Sequence, residues 1–183
     1  MADLSHDVAR ERAEFESLVR LYWPKVFRFA LASLRDKDAA ETIAQDCFVK
    51  AHRARGRFRN ECSDATWLMR IAVNLVRDHL RNRRLRFWKH TQTYGQPVED
   101  IGHWIDEGQR SPEAQALLRE RVQAIWEATK SLPERQRTVF LLRFVEDMDL
   151  LDIAAVTGMK EGTVKTHLFR ALQAVWERMG SQL

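Results

Sequence analysis

The chain has 183 residues, a formal net charge of +4 and an isoelectric point near 9.3, and 45% of its residues are hydrophobic. That is enough for one medium or two small domains with buried cores. No apolar run approaches the roughly 18 residues that a membrane span needs, the start MADLSHDVARERAEFE is too charged for a signal peptide, and two cysteines cannot build a disulfide scaffold at this size.

With 7 Gly, 4 Pro and few runs of alternating apolar and polar residues, the chain is expected to be all-α. A cytosolic location is expected. Neither Cys47 nor Cys62 stands in a CxxC pair. Cys62, His52 and His79 fit no closed zinc spacing, and Cys47 falls on the apolar side of its segment as a small core residue.

In chain order, Arg10 to Tyr22 carries Phe15, Leu18, Val19 and Tyr22 at helical spacing. Pro24 fits the first turn of a second helix, which runs to about Leu34 with Val26, Phe27, Ala30 and Leu34. After the polar break Arg35 to Asp38, a third helix reaches about Ala54. It buries Ile43, Ala44, Cys47, Phe48 and Ala51 and shows Glu41, Gln45, Asp46 and Lys50 on its other face. Three short antiparallel helices would make a compact bundle.

Gly56 to Ser63 reads as a loop, and Ser63 or Asp64 caps a long fourth helix. In that helix Leu68, Ile71, Ala72, Leu75 and Leu80 point inward and Arg70, Asn74, Arg77, Asp78 and Arg81 point elsewhere. Arginines crowd the stretch from Arg53 to Lys89, with Phe58, Trp67, Phe87 and Trp88 among them. Cations that track phosphates beside rings that stack on bases hold single-stranded nucleic acid. A solvated basic face over buried aromatics is the alternative, above all for Trp67.

Residues 91–111 turn acidic through Glu99, Asp100, Asp106 and Glu107 and sustain no helical period, which marks a linker. Trp104 and Ile105 are expected to dock on a domain or partner. Ser111, Pro112 and Glu113 then resemble a cap, a first-turn proline and a first-turn acid. The helix they open carries Leu117, Leu118, Val122, Ile125, Trp126 and Thr129, and a second starts at Leu132-Pro133-Glu134 with Val139, Leu142 and Val145 inward.

Asp149 to Leu172 reads as two short amphipathic helices around Gly158, the first capped by Asp149 and presenting Ile153, Ala154 and Val156. The second packs Val164, Leu168 and Leu172 and turns Thr163, Lys165, Thr166, His167 and Arg170 outward. Ala154, Gly158 and Val164 have helix-turn-helix spacing, in which the second helix enters the DNA major groove. An ordinary αα-hairpin with a solvated polar face is the alternative. The C-terminal unit is thus a four-helix domain of about 70 residues.

FVKAHRARGRF, TWLMRIAVNLVRDHLR, LPERQRTVFLLRF and DIAAVTGMKEGTVKTHLFRAL, in this order and spacing, make the chain from Phe15 to Met179 resemble an extracytoplasmic-function (ECF) sigma factor of bacterial RNA polymerase. The resemblance implies two small helical domains joined by an irregular linker: sigma region 2 at 10–90, the linker at 91–111, which threads toward the polymerase active site and RNA exit path, and sigma region 4 at 112–180. It implies that Gln45, Asp46, Phe48 and Lys50 bind core polymerase through its clamp helices. Phe58, Asn60, Trp67 and Asn74, with Arg77 and Arg81 beyond them, match the surface that unstacks and captures minus-10 bases. Lys165, Thr166 and Arg170 match readers of the minus-35 element, with Thr163 and His167 beside phosphates.

The implied partners are core RNA polymerase, promoter DNA and an anti-sigma factor, with no cofactor, metal or small-molecule substrate. Three residues depart from the pattern: Thr42 replaces a frequent acid, Lys160 stands where a serine commonly caps the recognition helix, and His167 replaces a common arginine, which would make a phosphate contact there pH-dependent. Two other readings compete. A helix-turn-helix regulator would use its N-terminal bundle for dimerisation or sensing, but such a bundle has no reason to display an arginine- and aromatic-rich helix with Asn74. A nucleic-acid enzyme acting through Asp78 or His79 lacks a carboxylate pair, a nucleophile–base pair or a phosphate-binding glycine loop.

Overall fold

A computed structural model of the chain describes residues 2–58, 62–89 and 112–180. The described residues form seven α-helices and one 3-10 turn, with no strand. They are α1 (Ala2–Leu34), α2 (Lys37–Ala54), the 3-10 turn Arg55–Arg57, α3 (Asp64–Lys89), α4 (Pro112–Lys130), α5 (Glu134–Phe144), α6 (Leu150–Thr157) and α7 (Glu161–Gly180). Two compact units result: α1 to α3 make the first, and α4, α5, α7 and most of α6 make the second. Asn60, the cap at Ser111 and the whole linker 91–111 with Trp104 and Ile105 lie outside the described residues. No described helix is long and apolar enough to cross a membrane.

In the first unit, the two helices expected on either side of Trp23 are one continuous helix, α1, which runs through Pro24. Pro24 lacks an N–H, so the Arg20 carbonyl loses its partner four residues on. Both residues are exposed, so water can cover that carbonyl, while buried Leu18, Val26, Phe29 and Ala30 hold the helix on either side. The inward position expected for Phe27 belongs instead to Phe29, whose ring is fully buried. Arg35, at φ 54°, ends α1 in the left-handed conformation. Asp36 then caps α2, its carboxylate accepting from the Ala39 N–H at 3.0 Å.

α2 and α3 meet across Cys47, whose Sγ lies 3.5 Å from the Leu68 carbonyl oxygen. Ser63, rather than Asp64, caps α3: its Oγ accepts from the Thr66 N–H at 3.1 Å and pairs with the Thr66 hydroxyl at 2.8 Å. The buried stripe of α3 is Thr66, Leu68, Met69, Ala72, Val73, Leu75 and Val76, while Ile71 and Leu80, expected inward, are only half-buried.

Burial pushes the Cys47 thiol up from 9.0 to about 12, with the Lys50 charge opposing. The folded state therefore favours the neutral thiol; that contribution is complete below pH 9.0 and is lost as pH rises toward about 12. Cys47→Ala should accordingly flatten the alkaline loss of stability in this window, as read from denaturant midpoints against pH. At pH 8 a thiol reagent should modify Cys47 only as the protein unfolds.

The second unit is tied together by Arg137 on α5. Its guanidinium donates to the carbonyls of Thr129 and Lys130 in the last turn of α4 and of Leu132 just beyond it, at 3.1, 2.6 and 3.1 Å, the Thr129 carbonyl also accepting from the Leu132 N–H at 3.2 Å. Removing a charged donor from several acceptors costs about 2 kcal/mol. Arg137→Ala should lower the thermal midpoint of this unit by that equivalent in a calorimetric scan, leaving the α1–α3 unit unchanged. Around this clamp α5 buries Val139, Phe140, Leu141 and Leu142.

Asp149 caps α6 as its sequence position predicts, accepting from the Asp152 N–H at 2.7 Å. Gly158 ends α6 at φ 72°, a left-handed conformation that favours glycine, and its N–H reaches the Ala154 carbonyl at 2.9 Å. α7 then buries Val164, Ala171 and Val175. Leu168 and Leu172, expected at its core, are half-buried, because the buried stripe lies along 164, 171 and 175.

Candidate nucleic-acid interface

The helix-turn-helix occupies α6, Gly158 and α7. The Lys160 carbonyl accepts from the N–H groups of Thr163 and Val164 at 2.9 and 3.1 Å, which puts Lys160 at the capping position of α7. Its ammonium only donates, so it cannot take up a free first-turn N–H. Glu161 supplies a first-turn acid that favours the positive end of the helix dipole.

With Val164, Ala171 and Val175 turned inward, helical geometry sends Thr166 and Arg170 outward and puts Thr163 and Lys165 on the flanks; all four are exposed. The Thr166 hydroxyl donates to the Gly162 carbonyl at 2.9 Å, and Lys165 pairs with Glu161 at 2.6 Å. His167 is half-buried, and its Nδ1 is enclosed with no hydrogen-bond partner among the described residues. Only Nε2 is then left for an outside partner. Phe169, which the sequence reading passed over, is 60% exposed on the same outer face. Its position five residues after buried Val164 on a 3.6-residue period was the signal.

On α3, the buried stripe leaves Trp67, Asn74, Arg77 and Arg81 on one opposite face, at offsets of seven, ten and fourteen residues. Arg77 donates to the Asn74 side-chain carbonyl at 2.8 Å, so the Asn74 amide nitrogen stays available as a donor. Arg81 pairs with Asp78 at 3.2 Å, both partly in solvent. Phe58 and Trp67 stack on each other, ring centroids 4.4 Å apart and planes within 16°, and both are half-buried. They form one stacked pair, not two separate rings. Arg55, counted among the basic residues, folds back over the Phe15 ring at 5.6 Å and pairs with Glu14 at 3.6 Å.

On α2, Gln45, Asp46 and Lys50 are exposed. Phe48, grouped with them by the resemblance, is 5% exposed and stacks on Trp23 at 5.7 Å. Its side of α2 is the buried one, as the apolar period of α2 predicts, so Phe48 packs in the bundle core. Val49 instead stands at the centre of the outer face, 47% exposed.

Comparison with known proteins places this geometry in a family. The sigma-70 region 2 family matches residues 18–86, and the sigma-70 region 4 family matches residues 122–175. The chain is 34% identical to the RNA polymerase sigma-H factor of Pseudomonas aeruginosa, over 90% of this chain and 86% of that one. It is 30% identical to the ECF RNA polymerase sigma-E factor of Escherichia coli over similar shares, 90% and 86%. Its fold is similar to that of the Bartonella quintana sigma factor RpoE, solved in complex with the anti-sigma factor NepR, with a TM-score of 0.73 and 23% identity over 91% of this chain and 97% of that one. Two sigma regions in order and relatives matched along nine-tenths of the chain establish that this protein belongs to the ECF sigma factors of bacterial RNA polymerase.

Proposed function

We propose that this sigma factor divides promoter recognition between its two units, 10–90 and 112–180, with the linker 91–111 joining them. α2 docks on core polymerase through Gln45, Asp46 and Lys50, with Val49 as an apolar anchor among them. α3 captures unstacked minus-10 bases with the outer face of the Phe58–Trp67 stack and Asn74, together with Asn60 just before the helix in sequence. Arg77 and Arg81 attract the strand's phosphates. α7 lies in the major groove of the minus-35 element, where Arg170 and Lys165 read guanine edges and Phe169 meets a thymine methyl group. Thr163, Thr166 and His167 contact the groove and its phosphates.

The observation that carries this reading is the alignment of Trp67, Asn74, Arg77 and Arg81 on one solvent-facing side of α3. A duplex reader needs only α7. A protein that opens DNA also needs a surface on which stacking and hydrogen bonds offset the loss of base pairing, at about 1 to 3 kcal/mol per stacked base. The protein itself catalyses no reaction and acts in the cytoplasm, where core polymerase supplies the chemistry. An anti-sigma factor as a further partner fits the complex with NepR in which the Bartonella quintana RpoE was solved.

The test is transcription from a promoter library by purified protein with core polymerase. Core polymerase should initiate at a defined subset of promoters only when the protein is present, and the protein alone should bind duplex DNA weakly. Tight sequence-specific binding by the free protein, without polymerase-dependent initiation, would favour a helix-turn-helix regulator.

A further inference from the structure

Glu161 is the only acid between Lys160 and Leu172, on a helix that exposes Lys165, Thr166 and Arg170. Its carboxylate lies 2.6 Å from the Lys165 ammonium, and the two side chains are 41% and 59% exposed. As an ordinary solvent-exposed pair four residues apart, this contact adds little to stability. Beside a phosphate backbone its consequence is larger. A carboxylate there meets like charge.

We propose that Glu161 is a positioning residue that makes Lys165 selective. If Lys165 moves to a phosphate, it either leaves Glu161 unpaired or draws its carboxylate against the like charge of the DNA backbone, a cost that a neutral guanine acceptor does not impose. If Lys165 donates to the O6 or N7 acceptor of a guanine in the groove, its ammonium has three donors and keeps Glu161 as a second partner. The pair thus penalises sequence-independent phosphate binding and tolerates base reading. This inference rests on the assignment of α7 to the minus-35 major groove.

The experiment uses holoenzyme assembled from the full chain and core polymerase. Its probes are a promoter fragment selected from a library with randomised minus-35 positions and a twin with that element scrambled. Binding to both is measured across a salt series for the parent, Glu161→Gln and Glu161→Asp. Glu161→Gln is expected to tighten binding to the scrambled twin and steepen its dependence of log K on log salt by about 0.9, the equivalent of one added phosphate contact. Discrimination between the fragments should fall by about tenfold, within the range of one base-reading contact.

Glu161→Asp keeps the charge at the helix N-terminus but is too short to hold Lys165, and should behave like Glu161→Gln. In a Lys165→Met background the effect of Glu161→Gln should vanish. Glu161→Asp behaving like the parent, or Glu161→Gln lowering only the thermal midpoint with salt slope and discrimination unchanged, would reduce Glu161 to a helix-dipole partner and overturn the proposal. Persistence of the Glu161→Gln effect in the Lys165→Met background would overturn the route through Lys165. If the parent holoenzyme itself fails to discriminate the two fragments, the minus-35 assignment of α7 falls and the proposal with it.

Discussion

Asn74→Ala should leave polymerase binding intact and slow promoter opening between about fivefold and a hundredfold, the range that 1 to 3 kcal/mol of lost base contact produces. Asn74 lies on the solvent side of α3, with its carbonyl held by Arg77 and its amide nitrogen available to a base. Truncating it opens no cavity, because the buried stripe of α3 runs along the opposite side. The defect should be confined to the step in which bases leave the duplex. A template pre-melted across the minus-10 element should restore initiation to near the parent level, since the unpairing cost is then removed in advance. The Arg77 guanidinium loses its partner in the same variant, so Arg77→Ala should show a weaker form of the same defect together with a shallower salt dependence. Failure of the pre-melted template to rescue Asn74→Ala would make Asn74 a structural residue.

Arg170→Ala should cut use of a promoter with an intact minus-35 element by about tenfold to a hundredfold, the value of one bidentate arginine–guanine contact. It should change use of the scrambled promoter little. Arg170 is exposed on α7 one turn beyond Thr166, and Ala171, its neighbour in sequence, faces the core. Loss of its side chain leaves the fold in place. Competition between the two promoters in one transcription reaction separates the possibilities. Equal loss on both would reduce Arg170 to a phosphate contact, and a lowered thermal midpoint would mark a packing role. Phe169→Ala should act in the same sense with a smaller effect, since an apolar contact with a thymine methyl lacks the directionality of a bidentate pair.

Much of this was legible in the residues. Turn chemistry at Gly158 and the Asp149 cap are local signals that the structure realises, whereas the apolar period of α5 to α7 is realised only in part: Val139, Leu142, Ile153 and Val164 are buried, but Val145, Leu168 and Leu172 are half-buried. Pro24 misled because the helix break it signals is a local preference. Whether a helix continues through a proline depends on packing from other segments and on solvent reaching the freed carbonyl.

Phe48 carried two expectations, a core position from the apolar period and a polymerase contact from the resemblance, and its burial realises the first. Its position in a family motif does not say which side of α2 it occupies, whereas the 3.6-residue period joins it to Ala44 and Ala51 in the core. Partners at close range were least legible of all. The Phe58–Trp67 stack, the Arg77–Asn74 hydrogen bond and the Glu161–Lys165 pair each depend on rotamers chosen in three dimensions. They matter for mechanism because a base or phosphate must compete with the partner already present.

The central claim is that one face of α3 opens the strand while α7 anchors the duplex upstream. Permanganate reactivity of unpaired thymines in the minus-10 region, measured with holoenzyme on a library-selected promoter, tests it most directly. The expected result is strong reactivity with the parent protein, reduced reactivity on duplex template with Asn74→Ala, whose initiation a pre-melted template restores, and reduced occupancy without a separate opening defect for Arg170→Ala. Undiminished thymine reactivity in Asn74→Ala, with α3 still folded, would contradict the account.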